Sequence, residues 1–449
     1  MSTQPSEHQP IDKSPSRSMA RVVIIQEQLK QYRLPLFSQL AAALAAEHIE
    51  LTVLYSHPNL QEAQKADHRL VDAPWCQTIA IYHWRGLTWQ CLPFSQLQNA
   101  DLVIIEQANR HLANWCCWLA YRLKVMTKHR LRWPNLAFWG HGQDFQRPHL
   151  RYRDRVKQWL ITTVHWWFAY TPQVAQAVAA QGMPSTKIVA LTNTVDSRHL
   201  HAAVTKIRLS ASQASLTQMQ DDVAPSMTSL CHQTVHATES QHGLPVFRWL
   251  FCGALYAHKR LDLLFAAADV LSAEDIPVQL TIIGAGPLQA WCEQMCAART
   301  YASYVGALFA DSGSDVPHDD GAPKDPRARY FADADVLVIP GLVGLAVVDG
   351  FAADLPLITT DVPYHSPEIS YLRSGYNGMM CQPEVNDLAA TLRQLWLDPA
   401  LLARLRQGAH DSYPQLQLPV MVAQFCKGIM AALAVGHTAP SISRVDKEL

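Results

Sequence analysis

Residues 336–361 read VLVIPGLVGLAVVDGFAADLPLITTD. An apolar run ends near Pro340, two glycines follow, and a stretch of helix-like apolar residues starts near Leu345. A second apolar run then ends in Asp361. Apolar run, turn, helix and apolar run together describe a strand–helix–strand unit of a parallel sheet. Gly341 and Gly344 let a backbone approach a ligand closely. Free N–H groups at a helix start favour an anion such as a diphosphate. The amides in question are those of Gly341, Leu342, Val343, Gly344 and Leu345. Asp349 falls about one turn inside the helix, within reach of a ribose hydroxyl. The same turn also serves as ordinary loop chemistry, so alone it fixes no function.

The alternation extends in both directions. Upstream, the strand-like runs are RVVII (21–25), IELTVLY (49–55), ADLVIIEQ (100–107), NLAFWGHG (135–142), HWWFAYT (165–171) and KIVALTNTVD (187–196). Helix-spaced segments separate them, beginning with residues 34–46. Residues 205–245 are rich in Ser, Thr, Gln and His and weakly patterned, which reads as a linker or insertion. FRWLFCG (247–253) restarts the alternation, VQLTIIGAGPL (278–288) continues it, and residues 309–326 read as a surface loop. The expected organisation is a disordered tail at 1–20, an α/β domain at 21–200 and a linker at 201–246. A second α/β domain at 247–412, a helix at 413–435 and a tail at 436–449 follow. Two such halves leave a cleft between them, and ligands of such sheets bind beyond the carboxyl ends of the strands.

Composition narrows the function. The chain has 449 residues, enough for two cores, and 49% are hydrophobic. A formal net charge of −1 argues against a nucleic-acid binder. Ten cysteines without a CxxC pair read as reduced thiols of a cytoplasmic protein, and no metal site is expected. The N-terminal residues lack the apolar core of a secretory signal.

Several groups sit where chemistry is expected. Lys259 and Arg260 follow a strand–glycine turn, Gly253, at a helix start; they serve either as phosphate-binding cations or as solvated surface charges. Gly284 and Gly286 form a third glycine turn. His141 lies in WGHG and is either a sugar-facing imidazole or a structural turn residue. Glu27, Tyr32 and Arg33 share the first loop, and Glu106 ends a strand; all four are candidates for the acceptor side of a cleft. Residues 110–157 hold eleven cations, two carboxylates and interleaved aromatics. Such a surface suits anionic lipid headgroups or a phosphate-bearing lipid acceptor, or is simply a solvated basic face.

FCGALYAHKRLDLLFAA, TIIGAGPL, the 336–361 stretch and PEISYLRSGYNGMMC (367–381) occur in an order that resembles the GT-B glycosyltransferases, specifically family 4 (glycosyl transferases group 1). IIQEQLKQYRLPLFSQL, AFWGHGQ, AYTPQVAQAV and LTNTVD resemble its N-terminal half more loosely. The resemblance implies two Rossmann-like, doubly wound domains facing across a cleft, and retaining sugar transfer from a nucleotide-diphosphate sugar to a glycan or lipid-linked hydroxyl. No cofactor or metal is implied. Gly253, Lys259, Arg260, Gly284, Gly286, Gly341 to Leu345 and Asp349 become donor-binding residues, with His141 and Lys259 at the chemistry. Asp349 matches the second acid of the family's E-x7-E motif. Gly341 stands where the first acid is usual, and Ala254 where an Arg is usual. The alternatives are a nucleotide-sugar epimerase of the same shape, or a degenerate protein that only binds a sugar nucleotide or a partner. Polysaccharide synthesis at the inner face of a membrane is a further expectation from the resemblance.

Overall fold

A computed structural model describes residues 19–57, 72–108, 110–142, 159–221, 245–308 and 325–437. The first lobe contains β1 (Ala20–Gln28), β2 (Ile49–Ser56), β3 (Cys76–Ile79), β4 (Ile81–Trp84), β5 (Leu87–Gln90), β6 (Leu102–Glu106), β7 (Asn135–Gly140), β8 (Trp166–Ala169) and β9 (Ile188–Ala190). Seven of these form a parallel sheet in the order β3-β2-β1-β6-β7-β8-β9, and β4 and β5 form a separate antiparallel ribbon. The central strands β1, β6, β7 and β8 carry unbroken apolar runs because both of their faces are covered. On β1, Val22 and Ile24 enter the core under the helix Leu34–Ala46, while Val23 and Ile25 enter the core under the helix Leu112–Met126.

The second lobe contains β10 (Phe247–Cys252), β11 (Val278–Ile283), β12 (Ala302–Gly306), β13 (Val336–Val338), β14 (Leu357–Thr360) and β15 (Gly378–Cys381), all parallel, in the order β12-β11-β10-β13-β14-β15. In each sheet the strand order reverses beside its first strand, between β1 and β6 and between β10 and β13. Connections leave in opposite directions there, which opens a crevice at the carboxyl ends.

One segment differs from the sequence-based expectation. The linker expected from 201 begins instead inside a helix, Arg198–Asp221. Leu200 and Val204 of this helix are buried in the core of the second lobe. Arg208 fastens it further, donating to the carbonyl oxygens of Phe331, Ala332 and Ala353. Residues 222–244 of the expected linker lie outside the described residues, as do most of the expected 309–326 loop and both expected tails, apart from Met19, Ala20, Gly436 and His437. The C-terminal helix, Leu418–His437, crosses back to the first lobe. Its Phe425 packs against Trp139 and Phe168, with ring centroids 5.0 and 4.8 Å away. This helix overlaps the one described segment apolar and long enough to span a membrane, Pro399–Val435, yet its apolar face lies in the first-lobe core.

Candidate functional site

The crevice between β1 and β6 is a cavity of about 510 Å³. Its lining includes Glu27, Tyr32, Arg33 and Glu106, so the four acceptor-side candidates converge on one space. The β4–β5 ribbon adds His83, Leu87 and Thr88, and Arg110 and Tyr170 close the remainder. Glu27 pairs with Arg110 and lies 3.3 Å from His111 Nε2. Burial works to raise its carboxyl, but His111 and Arg110 outweigh that and hold it down at about 2. Glu106 shows the opposite result: burial, with Glu27 nearby, raises its pKa despite His111 and Arg33. One carboxyl of the cavity is therefore firmly ionised and the other is pushed towards the neutral acid.

Arg33 is 6% exposed, and its guanidinium carbon lies 5.2, 5.1 and 5.8 Å from the ring centroids of Tyr32, Trp139 and Tyr170. His141, just after β7, is exposed and meets the Tyr170 ring edge-on at 4.3 Å. It therefore borders the cavity through Tyr170. Asp144 and the basic residues from 147 to 157 lie outside the described residues.

At the second switch point, Lys259 follows β10 and is 5% exposed. Its Nζ donates to Leu342 O at 2.6 Å, so the lysine of the first glycine turn touches the stretch 336–361. Burial lowers its pKa to about 8. The glycine turns themselves pack on one another. Gly341 N donates to Lys259 O and Leu342 N to His258 O, at 3.0 and 2.7 Å. A Cβ on Gly341 would sit 2.0 Å from His258 O, and one on Gly284 would sit 1.9 Å from Gly253 O. Gly286 is pressed in the same way against Leu255. These positions need glycine because the chain approaches itself. Val343 N donates to His365 Nδ1 at 3.0 Å, and His365 Nε2 donates to Thr360 O at 2.8 Å. Of the five amides 341–345 expected to cradle a ligand, three are thus used within the protein. The helix behind them starts at Ala346 and is seven residues long.

Two more of the expected donor-side groups are engaged within the protein. Arg260 grips Asp262 with both Nε and Nη2, at 3.0 and 2.8 Å, and is not an unpaired partner for Lys259. Asp349 accepts from Ser197 Oγ through one oxygen and from Arg327 Nη1 through the other, both at 2.7 Å. Arg327 also pairs with Asp325 at 2.7 Å. The carboxylate expected to take a ribose is thus a brace in an ion-pair network, and a ribose would be a third demand on it.

Glu368 is a residue that the sequence reading did not single out. It is buried, accepts from Asn193 Nδ2 of the first lobe, and lies close enough to Arg33 for their charges to interact. Tyr371 donates to Asn193 O at 2.9 Å. The turn Pro367–Tyr371 therefore carries the second lobe up to Arg33 of the first. Glu368 sat within a quoted motif, but nothing in its spacing distinguished it from a solvated turn acid.

Residues 247–398 match the model of the family described as Glycosyl transferases group 1. No curated protein sequence matches the chain. Solved structures resemble it over nearly its whole length. A glycosyltransferase from Rickettsia africae has a TM-score of 0.57 at 12% identity, covering 94% of this chain and 100% of its own. Sucrose-phosphate synthase from Thermosynechococcus elongatus has 0.56 at 14%, covering 93% and 100%. HepE of Anabaena, in complex with UDP and glucose, has 0.54 at 12%, covering 92% and 100%. The fold is GT-B. The matched family segment begins at β10 and takes in every strand of the second lobe, while the GT-B likeness extends through the first.

Proposed function

We propose that the protein transfers a sugar from a nucleotide-diphosphate sugar to an acceptor hydroxyl, as a retaining, metal-independent member of family 4. The second lobe takes the donor and the first lobe the acceptor. The observation that carries this is the pairing of the two switch points. A buried ammonium, Lys259, ends one, and a polar cavity of about 510 Å³ ends the other. The group 1 match over 247–398 supports placing the donor on the second lobe.

In this reading Lys259 leaves Leu342 O for the diphosphate. Its charge then stabilises the negative charge that grows on the leaving group as the glycosidic bond breaks. His141 donates to a hydroxyl of the donor sugar from across the cleft. The acceptor enters beside Glu27, Tyr32, Arg33 and Glu106. Closure of the lobes around both substrates keeps water from the donor.

The acceptor is presented at an anionic membrane surface. The helix Leu112–Met126 supports this: Leu112, Cys116, Leu119, Leu123 and Met126 recur at helical spacing on its exposed side. Met126 is 72% exposed and Leu119 54%. Arg122 lies between Leu119 and Leu123, Lys128, Arg130 and Arg132 follow the stripe in sequence, and all four are exposed or half-buried. An apolar stripe edged by cations is the composition of a helix lying in a headgroup layer.

Incubating the protein with a panel of nucleotide sugars and a lipid extract tests the reading. Release of nucleoside diphosphate with sugar incorporation is the expected result. Nucleotide binding without release leaves a binding protein, and an altered donor sugar without release leaves an epimerase.

A further inference from the structure

We infer that the acceptor carries an anionic group, a carboxylate or a phosphate, and that Arg33 receives it in the first-lobe cavity. The inference rests on the first lobe being the acceptor side. Arg33 lines the cavity, is more than nine-tenths buried, and its Nη1 has no hydrogen-bond partner. A buried guanidinium nitrogen without an acceptor is costly and uncommon. Glu368 lies close enough for its charge to act on Arg33, but no neighbouring carboxylate accepts a hydrogen bond from Nη1. Glu27 is taken by Arg110 and His111, Glu368 accepts from Asn193, and burial pushes Glu106 towards its neutral acid. No ion pair joins Arg33 to any of them within the described residues.

The surroundings fit an anion that arrives with its substrate. The rings of Tyr32, Trp139 and Tyr170 pack around the guanidinium and limit how far it can swing. A planar guanidinium held in this way matches the two oxygens of a carboxylate or phosphate. The cavity is large enough for a sugar unit beside that contact. The acceptor hydroxyl would then be positioned by the charge at the other end of the same unit, so Arg33 is a specificity residue of the acceptor site.

Two matched pairs of probes test this by calorimetry on the full chain: methyl glucuronide against methyl glucoside, and glycerol 1-phosphate against glycerol. At least one anion is expected to bind about tenfold or more tighter than its neutral twin, and the preference is expected to weaken with salt. Arg33→Gln should abolish the preference, Arg33→Lys should keep part of it, and UDP affinity should stay unchanged in both. Equal affinity within both pairs, or no binding of either anion, overturns the inference. So does an Arg33→Gln protein that keeps the preference, or one that loses UDP affinity instead, which would move Arg33 to the donor side. If Arg33→Gln fails to fold, the wild-type probe pairs and Arg33→Lys still decide. Failure of the unsubstituted protein to bind UDP counts against the donor reading and leaves the probe comparison standing.

Discussion

At the scale of single residues, Lys259 and Asp349 carry the sharpest consequences. Burial puts the Lys259 pKa near 8, below its usual value of 10.5. In the free protein the ammonium is present below pH 8 and is lost as pH rises through 8. A bound diphosphate favours the charged form, so binding above pH 8 must take up a proton. Calorimetry should therefore show UDP affinity flat below pH 8 and falling by up to about tenfold per pH unit above it. Lys259→Arg should flatten the profile, because a guanidinium keeps its charge across this range. An unsubstituted protein with a flat profile to pH 9.5 would remove Lys259 from the diphosphate. Asp349 separates two roles. As a brace, it leaves Arg327 with Asp325 alone when replaced by Asn. Breaking a fully buried pair costs roughly 3–5 kcal/mol; this pair is partly exposed and Arg327 keeps Asp325, so Asp349→Asn should cost less than that. Urea unfolding measures this. UDP affinity of the folded variant should change little, whereas a tenfold loss would return Asp349 to the ribose.

At the scale of elements, the helix Leu112–Met126 provides a test that needs no substrate. Leu119 and Leu123 are exposed, so Asp at both positions should leave the melting temperature nearly unchanged. The same change should cut sedimentation with phosphatidylglycerol vesicles by about tenfold, because apolar insertion is lost and negative charge is added. Equal sedimentation of both proteins would assign the stripe to another partner. This element also marks what the sequence made legible. RVVII, LVIIE and VLVIP announced buried parallel strands because both sheet faces are covered, and the strand alternation gave two lobes. The helix Arg198–Asp221 was hidden because Leu200 and Val204 are a thin seam among His, Ala, Thr and Lys that runs on into Ser and Gln, and its docking partner is distant in the chain. The glycine turns were located correctly, but their purpose was not readable. A glycine that admits a ligand and one that admits the chain itself look alike in sequence. Glu27, Tyr32, Arg33 and Glu106 were legible as strand-end polar groups. Arg110, Tyr170 and the β4–β5 ribbon, which complete the cavity, come from other parts of the chain and needed the fold.

At the scale of the whole molecule, the described residues cross between lobes twice, and the crossings have different chemistry. The outward crossing is polar, through Asn193 with Glu368 and Ser197 with Asp349. The return crossing ends in an apolar anchor, where Phe425 sits among Trp139 and Phe168 in the core of the first lobe. Polar contacts around a cleft can exchange partners as lobes move, while a packed aromatic anchor resists small displacement. Motion of the lobes should then pivot about the segment before Leu418 and leave the final helix attached to the first lobe. Phe425→Ala tests that attachment. Replacing a buried Phe by Ala costs about 3–5 kcal/mol, and here the loss should fall on the first lobe although the substitution is near the C-terminus. Hydrogen exchange followed by mass spectrometry should show faster exchange in β7 and β8, with β10 and β11 little changed. UDP affinity should persist, since Lys259 and its neighbours lie in the other lobe. Uniformly faster exchange in both sheets would mean that the lobes unfold as one unit, and that the final helix stabilises the molecule as a whole.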